Sequence, residues 1–150
     1  MDKILISGCL YGWKCRYDGK DSPILDARIK KWKEEGRLIA ICPEEFGGLK
    51  TPRPPSQRIK DKIVTCNGCD VTLEYMKGAR EALRLAKKNN VVCCIMKEKS
   101  PSCGSKFIYD GTFTNKIIKG KGCTSELLHN AGFTVFNENE IDEAEKIIKI

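Results

Sequence analysis

The chain has 150 residues, 41% of them hydrophobic and 31% charged, with a formal net charge of +7 from 27 Lys plus Arg against 20 Asp plus Glu. Such a length suits one domain spanning 1–150; it holds no apolar run near the ~20 residues of a membrane helix and no signal peptide at "MDKILISGCLYG", so a cytoplasmic address without a membrane partner is expected. Nine cysteines are an odd number for a disulfide framework, and disulfides are rare in a reducing cytosol, so metal or redox chemistry better explains at least some of them.

"KILIS" (3–7) is a β-branched apolar run and predicts a first strand. "SPILDARIKKWKEEGR" (22–37) predicts a helix capped by Ser22, with Pro23 in its first turn, Leu25, Ile29 and Trp32 on one face, and Gly36 as its stop. "RLIAIC" (37–42) predicts a second strand, and the glycines and four prolines of 43–60 predict irregular backbone over most of that stretch. A short strand and turn are expected in 62–72. The clearest helix spans 70–90, capped by Asp70 or Thr72, with Leu73, Met76, Ala79, Leu83 and Ala86 as its apolar stripe. "VVCCIM" (91–96) predicts a buried strand, 107–122 a hairpin, 124–132 a short helix and 133–137 a further strand. An Asn-x-x-Glu capping box at Asn137 and Glu140 opens a terminal helix over 137–150. Strands alternating with helices give an α/β class: a Rossmann-like three-layer open parallel sheet with helices on both faces. Such sheets bind ligands beyond the carboxyl ends of their strands, near the switch in strand order.

That rule sorts the cysteines. Cys9 follows the first strand, Cys42 closes the second, and Cys103 lies in the polar loop "EKSPSCGSKFIYDG" after the third, so all three emerge at one edge of the sheet. Cys93 and Cys94 sit mid-strand among valines and isoleucine and read as core. Cys123 has no evident partner, and Cys15, in "KCRYDG", is balanced between supporting the site and supporting the fold. Cys66 and Cys69 form a Cys-x-x-Cys pair, which as zinc ligands would want a second pair and as a redox dithiol remains a minority reading. Three thiolates from distant loops suit a catalytic iron–sulfur cluster with one iron left open, an electron-transfer cluster, or a zinc site. The lone histidine, His129, is expected on a helix surface.

The segments "SGCLYGWKCRYDG", "CPEEFGGLKTPRPP", "GCDVT", "KGA", "KSPSCGSKFIYDGTF" and "GCTSELL", kept in this order over nearly the whole chain, resemble the thiouracil desulfurase (TudS) family. The resemblance implies a 4Fe-4S cluster held by three cysteines and non-redox removal of sulfur from thiolated nucleobases such as 2-thiouracil. Carried over by position, the ligands are Cys9, Cys42 and Cys103, the acid/base carboxylate is Glu44, and the catalytic serine lies in "SPSC", with Ser100 preferred to Ser102. Arg53, framed by prolines, is expected to orient a substrate carbonyl or the Glu44 carboxylate. Tyr11 stands where relatives read closer to "SACLLG" and is expected to shape the substrate pocket.

The partners expected on this reading are a small thiolated pyrimidine and, as product, sulfide. A second enzyme reading, sulfur insertion into tRNA, would need a loop that activates the base with a nucleotide, and no Gly-rich phosphate cradle is found. A third, an RNA- or nucleotide-binding module with a structural metal, rests on the net charge of +7. The lysines are dispersed and read more simply as solvated faces, so nucleic acid is the lesser candidate.

Overall fold

Short apolar strands cannot stand alone: each exposes a ladder of unpaired backbone groups and, when apolar throughout, two faces that need covering. In the computed structural model, which describes residues 1–149, these demands are met by the elements β1 (Ile4–Ser7), α1 (Gly8–Tyr11), α2 (Ala27–Glu34), β2 (Leu38–Ile41), α3 (Pro43–Phe46), β3 (Ser56–Ile59), β4 (Lys62–Thr65), α4 (Thr72–Lys88), β5 (Cys93–Met96), β6 (Phe107–Tyr109), β7 (Ile117–Lys119), α5 (Cys123–Asn130), β8 (Val135–Asn137) and α6 (Ile141–Ile147). Four strands form a parallel sheet in the order β2-β1-β5-β8, with Ile4 paired to Leu38 on one side and to Cys93 on the other. One face, carrying Ile4, Ile6, Cys93 and Ile95, packs on Ile29 and Trp32 of α2 and on Ile141 and Ala144 of α6. The other, carrying Leu5, Cys94 and Met96, packs on Ala82 and Ala86 of α4 and Leu128 of α5. The fold is therefore α/β, a central parallel sheet with helices on both faces.

From β1 the chain moves to one neighbour, β2, and later crosses back to the other, β5. The loops leaving β1 and β5 thus diverge to opposite sides and open a crevice at the carboxyl edge. Two antiparallel hairpins, β3–β4 and β6–β7, stand outside the sheet.

Several local expectations change. Helix α2 begins at Ala27 under an Asp26 cap, whose Oδ1 accepts the Arg28 N–H at 2.8 Å, and not at Ser22. Residues 22–24 are committed elsewhere: the N–H of Ser22 donates to Cys9 O (2.9 Å) and that of Ile24 to Leu10 O (3.3 Å), strapping the first cysteine turn. Leu25, outside the helix, is 96% exposed. The stretch 43–60 holds more regular structure than its prolines suggested, because Pro43 occupies the first turn of α3, where a missing N–H costs nothing, and β3 starts just after Pro55. Asn137 and Glu140 do interact, the Glu140 carboxylate accepting the Asn137 N–H at 3.0 Å, and α6 starts one residue later. Position 150, included in the expected terminal helix, lies outside the described residues. No helix among those described is long and apolar enough to cross a membrane.

The largest difference is in α4. Its buried face is Tyr75, Gly78, Ala79, Ala82 and Ala86, while Leu73 is 80% exposed. Small residues are required there because α3 lies almost on the helix backbone. A Cβ on Gly78 would fall 1.9 Å from the Pro43 carbonyl oxygen, and one on Gly47 would fall 1.9 Å from that of Glu74. Gly78→Ala should therefore cost about 1–3 kcal/mol by forced overpacking, whereas Leu73→Ala should stay within about 0.5 kcal/mol. Urea denaturation of the two variants checks this; a Gly78→Ala midpoint equal to the parent's would refute the close contact.

Candidate functional site

The loops after β1, β2 and β5 meet in a cavity of about 620 Å³ whose wall includes Cys9, Cys42 and Cys103. Cys9 and Cys42 are placed by the first turn after their strands, and Cys103 by a later turn in the loop after β5. Cys9 sits in α1, its carbonyl held by Ser22. Cys42 caps α3, its carbonyl accepting the Phe46 N–H at 3.0 Å. Cys103 closes a tight turn in which Ser100 Oγ accepts the N–H groups of Ser102 (3.1 Å) and Cys103 (3.0 Å), and its own carbonyl accepts from Ser125 Oγ at 2.6 Å. The three are 8%, 7% and 4% exposed, so they are shielded thiols facing an open cavity.

Cys15 lines the same cavity and is equally buried. Its Sγ, that of Cys42 and a carboxylate oxygen of Glu45 all lie within 4.8 Å of one another. Cys66 reaches the wall from an exposed turn, and Cys69 beside it does not. Cys93 and Cys94 are wholly buried in the sheet, and the buried Cys123 thiol donates to Tyr75 O at 3.8 Å. His129 is exposed on α5 and does not line the cavity. The donor set is thus sulfur-rich and imidazole-free, which fits iron–sulfur chemistry better than the His-and-carboxylate set usual for catalytic zinc.

Burial sets the protonation of these thiols. It pushes Cys9 up to about 12, with the Glu44 charge adding to the effect, and raises Cys103 well above the usual thiol value for the same two reasons. Cys42 runs the other way: a hydrogen bond from the Cys15 thiol lowers its pKa despite burial, and Cys15 is raised in turn. A thiophilic metal arriving here would displace protons from Cys9 and Cys103.

Glu44, one residue into α3, also faces the cavity. Burial raises its carboxyl above the ordinary range, and Arg53, with Nη2 at 3.4 Å from Glu44 Oε2, opposes that rise without cancelling it. Arg53 itself does not line the cavity. It stands behind Glu44, donating to Cys15 O at 3.0 Å and to Thr51 Oγ1 at 2.9 Å, which places it to orient the carboxylate and not a substrate carbonyl. Ser100 is on the wall, whereas Ser102 is fully buried with its Oγ 2.7 Å from Thr124 Oγ1. Tyr11 is also off the wall. The single turn of α1 sends its ring toward α2, where Lys33 Nζ lies 4.1 Å from the ring centroid.

One buried group was not singled out by sequence. Glu98 Oε1 accepts the N–H groups of Ser105 (2.8 Å), Lys106 (3.2 Å), Lys99 (3.3 Å) and Phe107 (3.4 Å), while Oε2 takes the Asn137 amide at 2.7 Å. The two flanks of the Ser100–Cys103 loop, Lys99 on one side and Ser105–Phe107 on the other, are thereby tied to one carboxylate. Its only sequence signal was an acidic residue opening an otherwise neutral or basic loop. Next to it, Lys97 pairs with Glu138 at 2.6 Å, tying the loop to the end of β8.

With this geometry in place, comparison with known proteins is informative. The model of the 2-thiouracil desulfurase family matches residues 4–140. The uncharacterized protein YbbK of Bacillus subtilis (strain 168) is 45% identical over 150 residues, covering 93% of this chain and 98% of its own. A solved structure described as a 4Fe-4S-dependent thiouracil desulfidase, TudS, superimposes with a TM-score of 0.95 at 41% identity, covering 99% of this chain and all of that one.

The Glu98 anchor predicts a pH signature. Burial alone would raise its pKa, but the N–H of Lys106, the Asn137 amide and the N–H of Ser105 outweigh it and hold the carboxyl below its ordinary 4.5. A depressed folded pKa adds stability that is complete above the unfolded value and drains away as pH falls through the folded one. Glu98→Gln should then cost about 1–3 kcal/mol at neutral pH, and the gap from the parent should narrow as pH drops below 4.5. Urea denaturation across that range tests it; a gap independent of pH would show that the charge on Glu98 is immaterial.

Proposed function

This chain belongs to the 2-thiouracil desulfurase family, and from that premise we propose that it converts 2-thiouracil and water to uracil and sulfide, with no net redox change. The observation that carries the reading is the convergence of Cys9, Cys42 and Cys103, from the ends of three parallel strands, on a cavity that also holds Glu44 and Ser100. We read the architecture as a Rossmann-like three-layer sheet forming one domain over 1–150. A reducing, cytoplasmic address suits nine free thiols.

The cofactor on this reading is a 4Fe-4S cluster held by Cys9, Cys42 and Cys103. When bound, it would supply an open, thiophilic Lewis-acid iron to the thiocarbonyl sulfur, leaving the attached carbon electron-poor. The chain's own residues do the rest. Glu44 Oε2 faces Arg53, so Oε1 is left to take a proton from the attacking water. Its raised pKa lets it hold that proton and return it to a ring nitrogen or to the departing sulfide. Ser100 Oγ already accepts two N–H bonds, which directs its own O–H outward into the cavity, toward negative charge developing on the substrate. Burial of the thiols and of Glu44 keeps bulk water from competing for these hydrogen bonds.

Anaerobic reconstitution, addition of 2-thiouracil and loss of the thiocarbonyl absorbance provide the direct test. Glu44→Gln should keep its iron and lose about two to four powers of ten in kcat. The parent's rate should also fall as pH drops through the raised Glu44 pKa, and Glu44→Gln should lack that acid limb; normal turnover by Glu44→Gln would remove Glu44 from the chemistry. Cys42→Ala should lose the cluster absorbance together with activity, and full activity in a zinc-loaded, iron-free sample would overturn the cofactor.

Ser100→Ala should lower kcat, while Ser102→Ala should lower thermal stability with kcat retained. The reverse pattern would transfer the catalytic role to Ser102.

A further inference from the structure

The groups used so far, the cysteines, Glu44 and Ser100, lie in the segments that leave β1, β2 and β5. Much of the remaining cavity wall comes from the two hairpins outside the sheet: Gln57 on β3, Tyr109 on β6, and Phe113 and Asn115 at the tip joining β6 to β7. Gln57 is 9% exposed and ties the hairpins together, its Oε1 accepting the N–H of Gly111 at 2.9 Å and that of Phe113 at 3.2 Å. Only the oxygen of an amide can accept, so these two bonds settle which way round the group lies. Its Nε2 has no protein partner among the described residues, where no buried side-chain nitrogen or oxygen goes unbonded, so Nε2 is not sealed in. Of the two hollows that Gln57 lines, the one beside Ile108 has no room for a water molecule, and the other is the cavity.

We propose that Gln57 is a specificity-determining residue: Nε2 donates a hydrogen bond to the 4-oxo oxygen of the thiolated pyrimidine and so selects an oxo over an amino group at that ring position. The inference rests on the functional reading above. The amide is set before any ring arrives, because the tip it holds has little freedom of its own. Phe113 has a left-handed backbone (φ 58°), which a bulky residue adopts only where its surroundings impose it, and Asp110 Oδ1 accepts the Thr112 N–H at 2.9 Å. A donor held in this way loses no rotamer freedom on binding.

The ring's own chemistry supplies the match. A pyrimidine that turns its thiocarbonyl toward the cysteines has one other exocyclic group, which must meet another part of the wall. In 2-thiouracil that group is an oxygen, an acceptor with no N–H to give. In 2-thiocytosine it is an amine, whose hydrogens would face the Nε2 hydrogens and leave both sides unpaired. Leaving fixed polar groups unpaired is how a site rejects a ring of nearly the same shape.

Gln57→Glu separates this role from a purely structural one. A carboxylate oxygen still accepts from Gly111 and Phe113, so the tip stays tied, while the donor becomes an acceptor. The readouts are steady-state kinetics of reconstituted parent and variant with 2-thiouracil and 2-thiocytosine, well above the carboxyl pKa range, and equilibrium dialysis of uracil and cytosine, which needs no turnover. Gln57→Glu should raise KM for 2-thiouracil about tenfold with a much smaller change in kcat. It should lower KM for 2-thiocytosine and move the uracil-to-cytosine binding ratio in the same direction. Gln57→Met, with neither donor nor carboxylate, should lose affinity for 2-thiouracil without gaining any for 2-thiocytosine. An unchanged preference in Gln57→Glu would reduce Gln57 to a tether for the tip and overturn the proposal. A reconstituted parent that turns over neither thiolated base would instead sink the functional reading, and this inference with it.

Discussion

The site depends on β1 pairing in parallel with β2 on one side and β5 on the other. Parallel pairing forces every strand to point the same way, so each must end at the same edge, and the reversal of order around β1 separates the loops that leave it. Cys9 and Cys42 share the cavity by following their strands directly, whereas Cys103, farther from the end of β5, is held there by Ser125 and the Glu98-anchored loop. The pairing itself is enforced by strands buried on both faces: Ile4, Leu5 and Ile6, and Cys93 through Met96, are wholly inaccessible, and none could shift register without carrying its neighbours.

What the sheet does not fix, small residues and buried charges do. Helix α3 carries Glu44 immediately after Cys42, and its position over the cavity is set by how closely it can approach α4. Gly47 and Gly78 bring the two backbones into direct contact from opposite sides. Gly47, at the end of α3, is therefore a packing residue. Glu98 plays the matching part for the third loop, collecting several backbone N–H groups that no strand or helix would satisfy. Burying a carboxylate is costly unless it is this well bonded, and once it is, the loop has little freedom to move without breaking the set.

Much of this was legible in the sequence because its signals were periodic or positional. Strands such as "ILIS" and "CCIM" declare themselves by composition, and a cysteine just beyond a strand inherits a known edge. Failures came where a residue's role depends on a partner far along the chain. Leu73 belongs to a plausible helical stripe, yet the real buried face is Tyr75, Gly78 and three alanines, with Gly78 needed because α3 lies so near. Ser22 has the chemistry of a helix cap, but its N–H is claimed by Cys9, and Asp26 caps instead. Tyr11, close to Cys9 in sequence, and Arg53, in the proline-framed loop, do not line the cavity, since one helical turn or one loop suffices to direct a side chain behind the wall.

Arg53 shows why such residues still matter to the chemistry. It is held by a polar loop on one side and grips Glu44 and the Cys15 carbonyl on the other. Burial raises the Glu44 carboxyl, and the guanidinium beside it opposes that rise. Lysine at this position would keep the charge and lose the planar fork that spans two acceptors at once. Arg53 thus acts on the Glu44 carboxylate from outside the cavity wall.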